Sequence, residues 1–459
     1  MVYSSLLFIY GFLPISLLVY YISPKKYQPV ALLVLSMIFC GMFSPWYLAF
    51  ITAYVFANYA GCRLIQMKKS EKKRGILPYI ACTAFDISAI FFFRSELFEP
   101  MREELGSAAD FFPVGISFFT LSAIGALTDV FRGKIKAEKS IVNFALFIMM
   151  FPRLIMGPVL RYSAFARAIE NRKGGLSEIG KGLTVFIKGF AKKILFADSL
   201  YTLWSAVSQA EVSELAALTA WLGAVAFVFC LYFTLSAFAD MCTGLCLCFG
   251  FRFPKSFNYP MFSTRIRTFY SKWQTQVFKW FRKNYHIVAS PFRRDSICRK
   301  LIYVVFWGIF GFWYTFNLNG FMWGLLMGAV IIIEKRFFHA KMLNITGAIY
   351  TFFAVVSASV LFLGGDLLYS AKYIIAMLGG NRNLADSVSL YLLKSYFIVL
   401  LVCMYASTDL LRNVGVRLSK TRIRYVFEAV TPIIMLIILF VCTALISFSG
   451  SSETMLIML

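Results

Sequence analysis

Residues 249–286 read FGFRFPKSFNYPMFSTRIRTFYSKWQTQVFKWFRKNYH, the most basic and aromatic part of the chain. An apolar run that carries a carboxylate, LSAFADM at 235–241 with Asp240, leads into it, and WGIFGFWYTFNLNGFMWGLLMG at 307–328 leads out. Between Arg252 and Lys300 stand twelve Lys or Arg residues against one acid, Asp295. Charge at that density cannot lie in hydrocarbon. The segment therefore reads as a surface or interfacial insertion between two membrane passages, with the rest of the chain as scaffold around it.

Composition fixes the class. Over 459 residues, 60% are apolar and 15% charged, and the mean hydropathy of +0.73 exceeds what a water-soluble core can use. The chain reads as an all-α polytopic membrane protein. The N-terminal MVYSSLLFIYGFLPISLLVYY has an apolar run but no basic segment before it and no small-residue cleavage site, so it is expected to be a retained first span. A formal charge of +24 comes from Lys and Arg in short loops between spans. The positive-inside rule and anionic lipid account for that placement, which argues against nucleic acid as a partner. Most of the ten cysteines lie in apolar runs, and Cys242, Cys246 and Cys248 lack a paired second knuckle, so buried thiols are expected and no metal site.

Charge asymmetry between loops gives a topology. Residues 6–22 cross inward to Lys25 and Lys26, and 30–43 with 46–62 form a hairpin that returns to the basic RLIQMKKSEKKR. Residues 78–93 cross outward to an acidic loop through Glu96, Glu99, Glu103, Glu104 and Asp110, and 112–131 return to FRGKIKAEK. The run from Ile141 to Tyr162 is basic at both ends and interrupted at Pro152, Arg153, Gly157 and Pro158. It reads as a re-entrant or broken helix, which lies at membrane depth only where protein buries it or water reaches it, and so marks a cavity wall. Spans at 182–200, 217–250, 301–316, 321–335, 346–365, 391–409 and 428–448 complete about twelve crossings, N-out and C-out. With no repeat and no soluble insert, residues 1–459 are expected to form a single membrane domain.

Five stretches in order carry a resemblance. They are FFPVGISFFTLSAIGALTDVFRGK, FPRLIMGPVLRYSAF, GLTVFIKGFAKKILFADSL, LSAFADMCTGLCLCFGFRFPKSFNYPMFSTRIRTFYSKWQ and GIFGFWYTFNLNGFMWGLLMG. Together they resemble the membrane-bound O-acyltransferase (MBOAT) family, in its bacterial alginate O-acetylation and teichoic-acid D-alanylation branch. The resemblance covers residues 85–380, leaving 1–84 and 381–459 as N-terminal and C-terminal spans. It implies a ring of about 11–12 tilted helices with re-entrant and amphipathic cytoplasmic helices, in a bacterial plasma (inner) membrane. An acyl group would pass from a cytoplasmic thioester, on an acyl carrier protein or coenzyme A, to a hydroxyl of an exported glycan or of an extracytoplasmic acceptor protein. Membrane lipids are the remaining partners, and no bound cofactor is implied.

Such a transfer needs a base near the attacking hydroxyl and donors for the developing oxyanion. Imidazole suits the first task because its pKa lies near neutrality. The family pattern places one His after the Trp of the amphipathic segment and another after the Trp of a GLWHG-like span. Here those positions read Trp273-Gln274 and Trp313-Tyr314. Gln274 cannot take a proton at any useful pH, and an ordinary Tyr, with a pKa of about 10, is almost wholly protonated at neutrality. His286 falls about 120° from Gln274 on a continuous helix and does not replace it. His339, among Lys335, Arg336 and Lys341, reads as an interfacial residue.

Asp240, an acid in an apolar run, is a candidate base or a paired structural carboxylate. Asp86, Asp129 and Asp198 read as helix caps or interface anchors. Arg265, Arg267 and Lys272 are candidates for holding a carrier's phosphate or lipid headgroups, or else form a solvated cytoplasmic face. By the resemblance, Trp273 and Trp313 stand on the substrate side. By themselves Trp273, Phe278, Trp280, Phe281 and Tyr285 read as an interfacial belt. Asn317 and Asn319 are candidate oxyanion donors or part of a plain turn. The reading is an O-acyltransferase-like membrane protein with altered or lost chemistry, with a non-catalytic scaffold or acyl-guiding component of a glycan-export assembly as the alternative.

Overall fold

The computed structural model describes residues 3–70, 75–95, 99–100, 112–293, 296–337, 344–362, 366–410, 413, 417 and 424–449. His339, Asp295, most of the acidic loop after Glu99 and most of the basic 411–423 stretch lie outside the described residues. Every described element is helical. Eight helices are long and apolar enough to cross a membrane: Pro45–Lys68, Ile76–Arg94, Ala217–Cys248, Ile297–Thr315, Leu318–Arg336, Ile345–Phe362, Ser387–Ala406 and Ala429–Phe448. Shorter apolar helices run over Phe8–Ile22, Gln28–Gly41, Ile116–Phe131 and Leu367–Met377. The protein is therefore polytopic. At about 1.5 Å of rise per residue, eighteen to twenty residues match a hydrocarbon layer of roughly 30 Å.

The helices group into two compact bodies, one of residues 1–186 with 238–255 and one of 187–237 with 256–459. In the first, Phe8, Phe12, Phe39 and Phe151 interlock at ring separations of 5.2 to 6.4 Å. The Tyr20 and Tyr21 hydroxyls donate to the Phe249 and Cys248 carbonyls at 3.0 and 2.7 Å, which ties the first span to the end of the longest helix. Gly182 and Gly244 face each other so closely that a Cβ on either would lie 2.6 Å from the other's carbonyl oxygen. Close backbone approach through small residues is how helices gain packing energy where lipid is as apolar as protein. Glu178, held by Lys181 and Arg252 at 3.0 and 2.9 Å, has its pKa lowered by those hydrogen bonds.

The interrupted stretch is broken as its prolines require. A helix over Ile141–Met149 ends at Met150, a single turn covers Phe151–Leu154, and residues 144–160 are all buried. Protein covers this irregular backbone. Arg153, 5% exposed, stacks between Phe147 and Phe165 at 5.2 and 5.3 Å and donates to Ser122 Oγ at 3.3 Å. Asp86 differs from the sequence expectation. It sits mid-helix, fully buried, and accepts from Asn58 Nδ2 at 2.8 Å. A carboxylate more than two turns from either end of its helix finds an amide of the neighbouring span because hydrocarbon offers it nothing else.

The expected span 182–200, most of which belongs to the second body, is not a uniform apolar helix. Helix Leu176–Ala191 passes into a π-helical stretch, Lys192–Ala197, before helix Asp198–Ser208. There the buried Lys193 ammonium is paired with the Asp198 carboxylate. A π-bulge lets the helix carry this pair without leaving a buried charge alone. Tyr373 donates to the Ala220 carbonyl at 2.9 Å and Trp221 to the Met377 carbonyl at 3.0 Å. These bonds anchor Leu367–Met377, a helix that sequence periodicity did not separate from its neighbours.

Candidate functional site

The site is built on two helices joined by a left-handed residue and on the hairpin of spans behind them. After Cys248 the chain runs irregularly to a short helix, Ile266–Lys272. The Ile266 amide at its start donates to Glu334 Oε2 at 3.1 Å, so a carboxylate of helix Leu318–Phe337 satisfies one of that helix's orphan donors. Trp273 is extended and Gln274 adopts φ 38°, ψ 59°, the left-handed conformation. The amphipathic helix Thr275–Val288 follows. The loop before the break supplies its backbone partners, with the Thr275 amide donating to the Ser256 carbonyl at 2.7 Å and the Asn258 amide to the Lys272 carbonyl at 3.0 Å.

Helices Ile297–Thr315 and Leu318–Phe337 pack backbone against backbone. A Cβ at Gly311 would lie 2.1 Å from the Gly320 carbonyl oxygen, and one at Gly324 would lie 2.0 Å from that of Trp307. This fixes the height at which Trp313 and Tyr314 stand. Tyr314 Oη donates to Gln274 Oε1 at 2.7 Å and accepts from Trp273 Nε1 at 3.1 Å. Gln274 is buried and Tyr314 half-buried. Around them Trp273 packs against Tyr232, Phe257 and Phe269 at 5.4 to 5.9 Å, and Phe310 meets the Tyr314 ring edge-on at 5.2 Å.

Of the sequence-predicted site residues, the structure brings together Trp273, Gln274 and Tyr314. Trp313 is buried, its ring 5.9 Å from that of Phe281. Asn317 caps the second span, its Oδ1 accepting from the Gly320 amide at 3.0 Å, and Asn319 is buried in the first turn. Arg265 is exposed at the start of the short helix and Lys272 half-buried at its end. Asp240 is half-buried on the last part of the longest helix, within the N-terminal body. The supposed interfacial belt is mostly core, because Trp273, Phe278 and Phe281 are buried and Phe278 and Phe281 pack on Trp307, Phe310 and Trp313. Glu334 was missed, although an acid inside an apolar run is itself a signal.

Chemically, the Tyr314 hydroxyl spends its one proton on a neutral amide oxygen and receives a bond from an indole N–H, which is donor only. The trio is a polar strut with no proton acceptor of suitable basicity among its own members.

Comparison with known proteins decides the family. The chain is 30% identical over 400 residues to a probable alginate O-acetylase AlgI of Pseudomonas fluorescens, covering 84% of this chain and 77% of that protein. The chain belongs to the membrane-bound O-acyltransferase family. A peptidoglycan O-acetyltransferase of Helicobacter pylori is 25% identical, with 83% of this chain and 80% of that protein covered. A teichoic acid D-alanyltransferase of Streptococcus thermophilus is 22% identical, with 50% of this chain and 58% of that protein covered. No family model matches the chain. At the two positions where the resemblance to this family placed histidines, the structure has the two ends of one hydrogen bond.

Proposed function

We propose that this protein is an O-acyltransferase-fold component of a cell-envelope polymer acylation system in which the transfer step itself has been lost. The observation that carries the reading is the Tyr314–Gln274 hydrogen bond of 2.7 Å. Two side chains that are neutral at physiological pH satisfy each other where the family pattern calls for imidazoles, and a hydroxyl acceptor would find no base there. Relatives named for acetyl and D-alanyl transfer to alginate, peptidoglycan and teichoic acid support an envelope polymer as the setting. The placement that goes with this reading is a bacterial inner membrane, with the basic 252–300 segment cytoplasmic. A thioester donor on a carrier protein or coenzyme A would approach from that side, and an exported glycan or acceptor protein from the other.

The same likeness to transferases over most of the chain favours a second reading, in which acyl transfer persists with Tyr314 or Asp240 in place of imidazole. Purified protein in lipid, given labelled acyl thioesters of a small carrier protein and of coenzyme A, separates the two. The proposal expects no transfer above background in the unaltered chain and a partial gain in the double variant Gln274→His/Tyr314→His. Transfer by the unaltered chain that Tyr314→Phe or Asp240→Asn abolishes would establish the second reading instead.

A further inference from the structure

A groove lies between the amphipathic helix Thr275–Val288 and helix Ile297–Thr315, enclosing about 480 Å³ with its open mouth included. Its floor is aromatic, with Phe278, Phe281, Phe306 and Phe310 among its lining, and Arg267, Arg282 and His286 also line it. Both arginines and His286 are exposed, and no carboxylate is among the lining residues. The ionisable side chains that line the groove are therefore basic or neutral. Desolvation and then the charges of Arg282, Arg299 and Arg267 all push the His286 pKa below its ordinary value.

The dimensions say what kind of anion fits. Arg299 and Lys300 stand in the first turn of the span and mark headgroup level. Phe310 lies eleven residues further along, about 16 Å at 1.5 Å per residue, roughly half of a 30 Å hydrocarbon layer. A soluble anion needs only the charged mouth, whereas an apolar floor reaching toward the bilayer midplane needs a chain. We infer that the groove binds one anionic phospholipid, its phosphate held by Arg267, Arg282 and His286 and an acyl chain laid along Phe278, Phe306 and Phe310. A zwitterionic lipid brings an ammonium that the arginines repel. A basic segment near the membrane is also drawn to anionic lipid.

The test is lipid retention. The protein is assembled in nanodiscs of equal phosphatidylglycerol and phosphatidylcholine, released into detergent, and its bound lipid is counted by native mass spectrometry. We expect one retained phosphatidylglycerol, favoured at least tenfold over phosphatidylcholine. Arg267→Gln/Arg282→Gln brings that preference to within twofold, and Arg282→Gln alone gives an intermediate value. Equal retention of the two lipids by the unaltered protein would overturn the inference. So would the same loss in Lys279→Gln/Lys283→Gln, because those residues share the helix but do not line the groove. Displacement by glycerol phosphate or by phosphopantetheine at concentrations equal to the lipid would show a soluble-anion site, and would also overturn it.

Discussion

The Tyr314 hydroxyl joins the two substituted positions, so its removal is the most informative single change. Tyr314→Phe leaves Trp273 Nε1 and Gln274 Oε1 without that partner in a largely buried place. A loss of about 1–3 kcal/mol of stability is expected, read as earlier thermal unfolding in detergent. A polar strut predicts that loss, whereas an idle surface hydroxyl predicts none. Asn317→Ala removes a helix cap, and about 1 kcal/mol should go with it. His286 gives the pH dependence. Its pKa lies lower in the folded chain than the unfolded value of about 6.5, so the unfolded chain takes up a proton first as pH falls. Stability is therefore lost as pH drops from above the unfolded value down through the folded one. The fall in unfolding temperature from neutral toward pH 5 should be shallower in His286→Gln.

At the level of elements, the hairpin of helices Ile297–Thr315 and Leu318–Phe337 sets the register of everything the site uses. Gly324→Ala would press a methyl into the Trp307 carbonyl, and backbone does not yield as a flexible side chain does. The helices must part, at about 1–3 kcal/mol. The same movement should loosen the Tyr314–Gln274 bond, which a crosslink between Cys substituted for Gln274 and for Tyr314 reports as a lower yield in the Gly324→Ala background. Gly180, a helical position whose added Cβ would meet nothing within 4 Å, is the control for residue size. The aromatic residues 273–285 illustrate a general ambiguity. A belt and a buried cluster have the same composition, and only the presence of Trp307, Phe310 and Trp313 opposite them makes this one core.

For the whole molecule, the exposed cysteine gives a test of orientation. All ten cysteines are free, nine of them buried or half-buried, and Cys298 is exposed at the start of helix Ile297–Thr315. If the basic segment faces the cytoplasm, a membrane-impermeant maleimide should label Cys298 in inside-out vesicles and leave it unlabelled in intact cells. Cys298→Ser should abolish the signal in the inside-out vesicles. Labelling from outside would reverse the orientation that the loop charges predict.

Reading the residues in order is enough to establish an all-helical polytopic protein, where most of its spans begin and end, and its family. Hydrocarbon leaves a chain few options: apolar runs of fixed length, internally bonded backbone, and ionisable groups only in loops or against a partner that satisfies them. Those constraints act locally and are written in composition. It took the folded arrangement to show that Tyr314 donates to Gln274, forty residues away, that Glu334 holds the start of the helix leading to them, and that Asp86 accepts from Asn58. Each depends on how one helix is rotated and raised against another. That register is set by glycines and aromatic rings meeting across helices, which a single strand of sequence does not display.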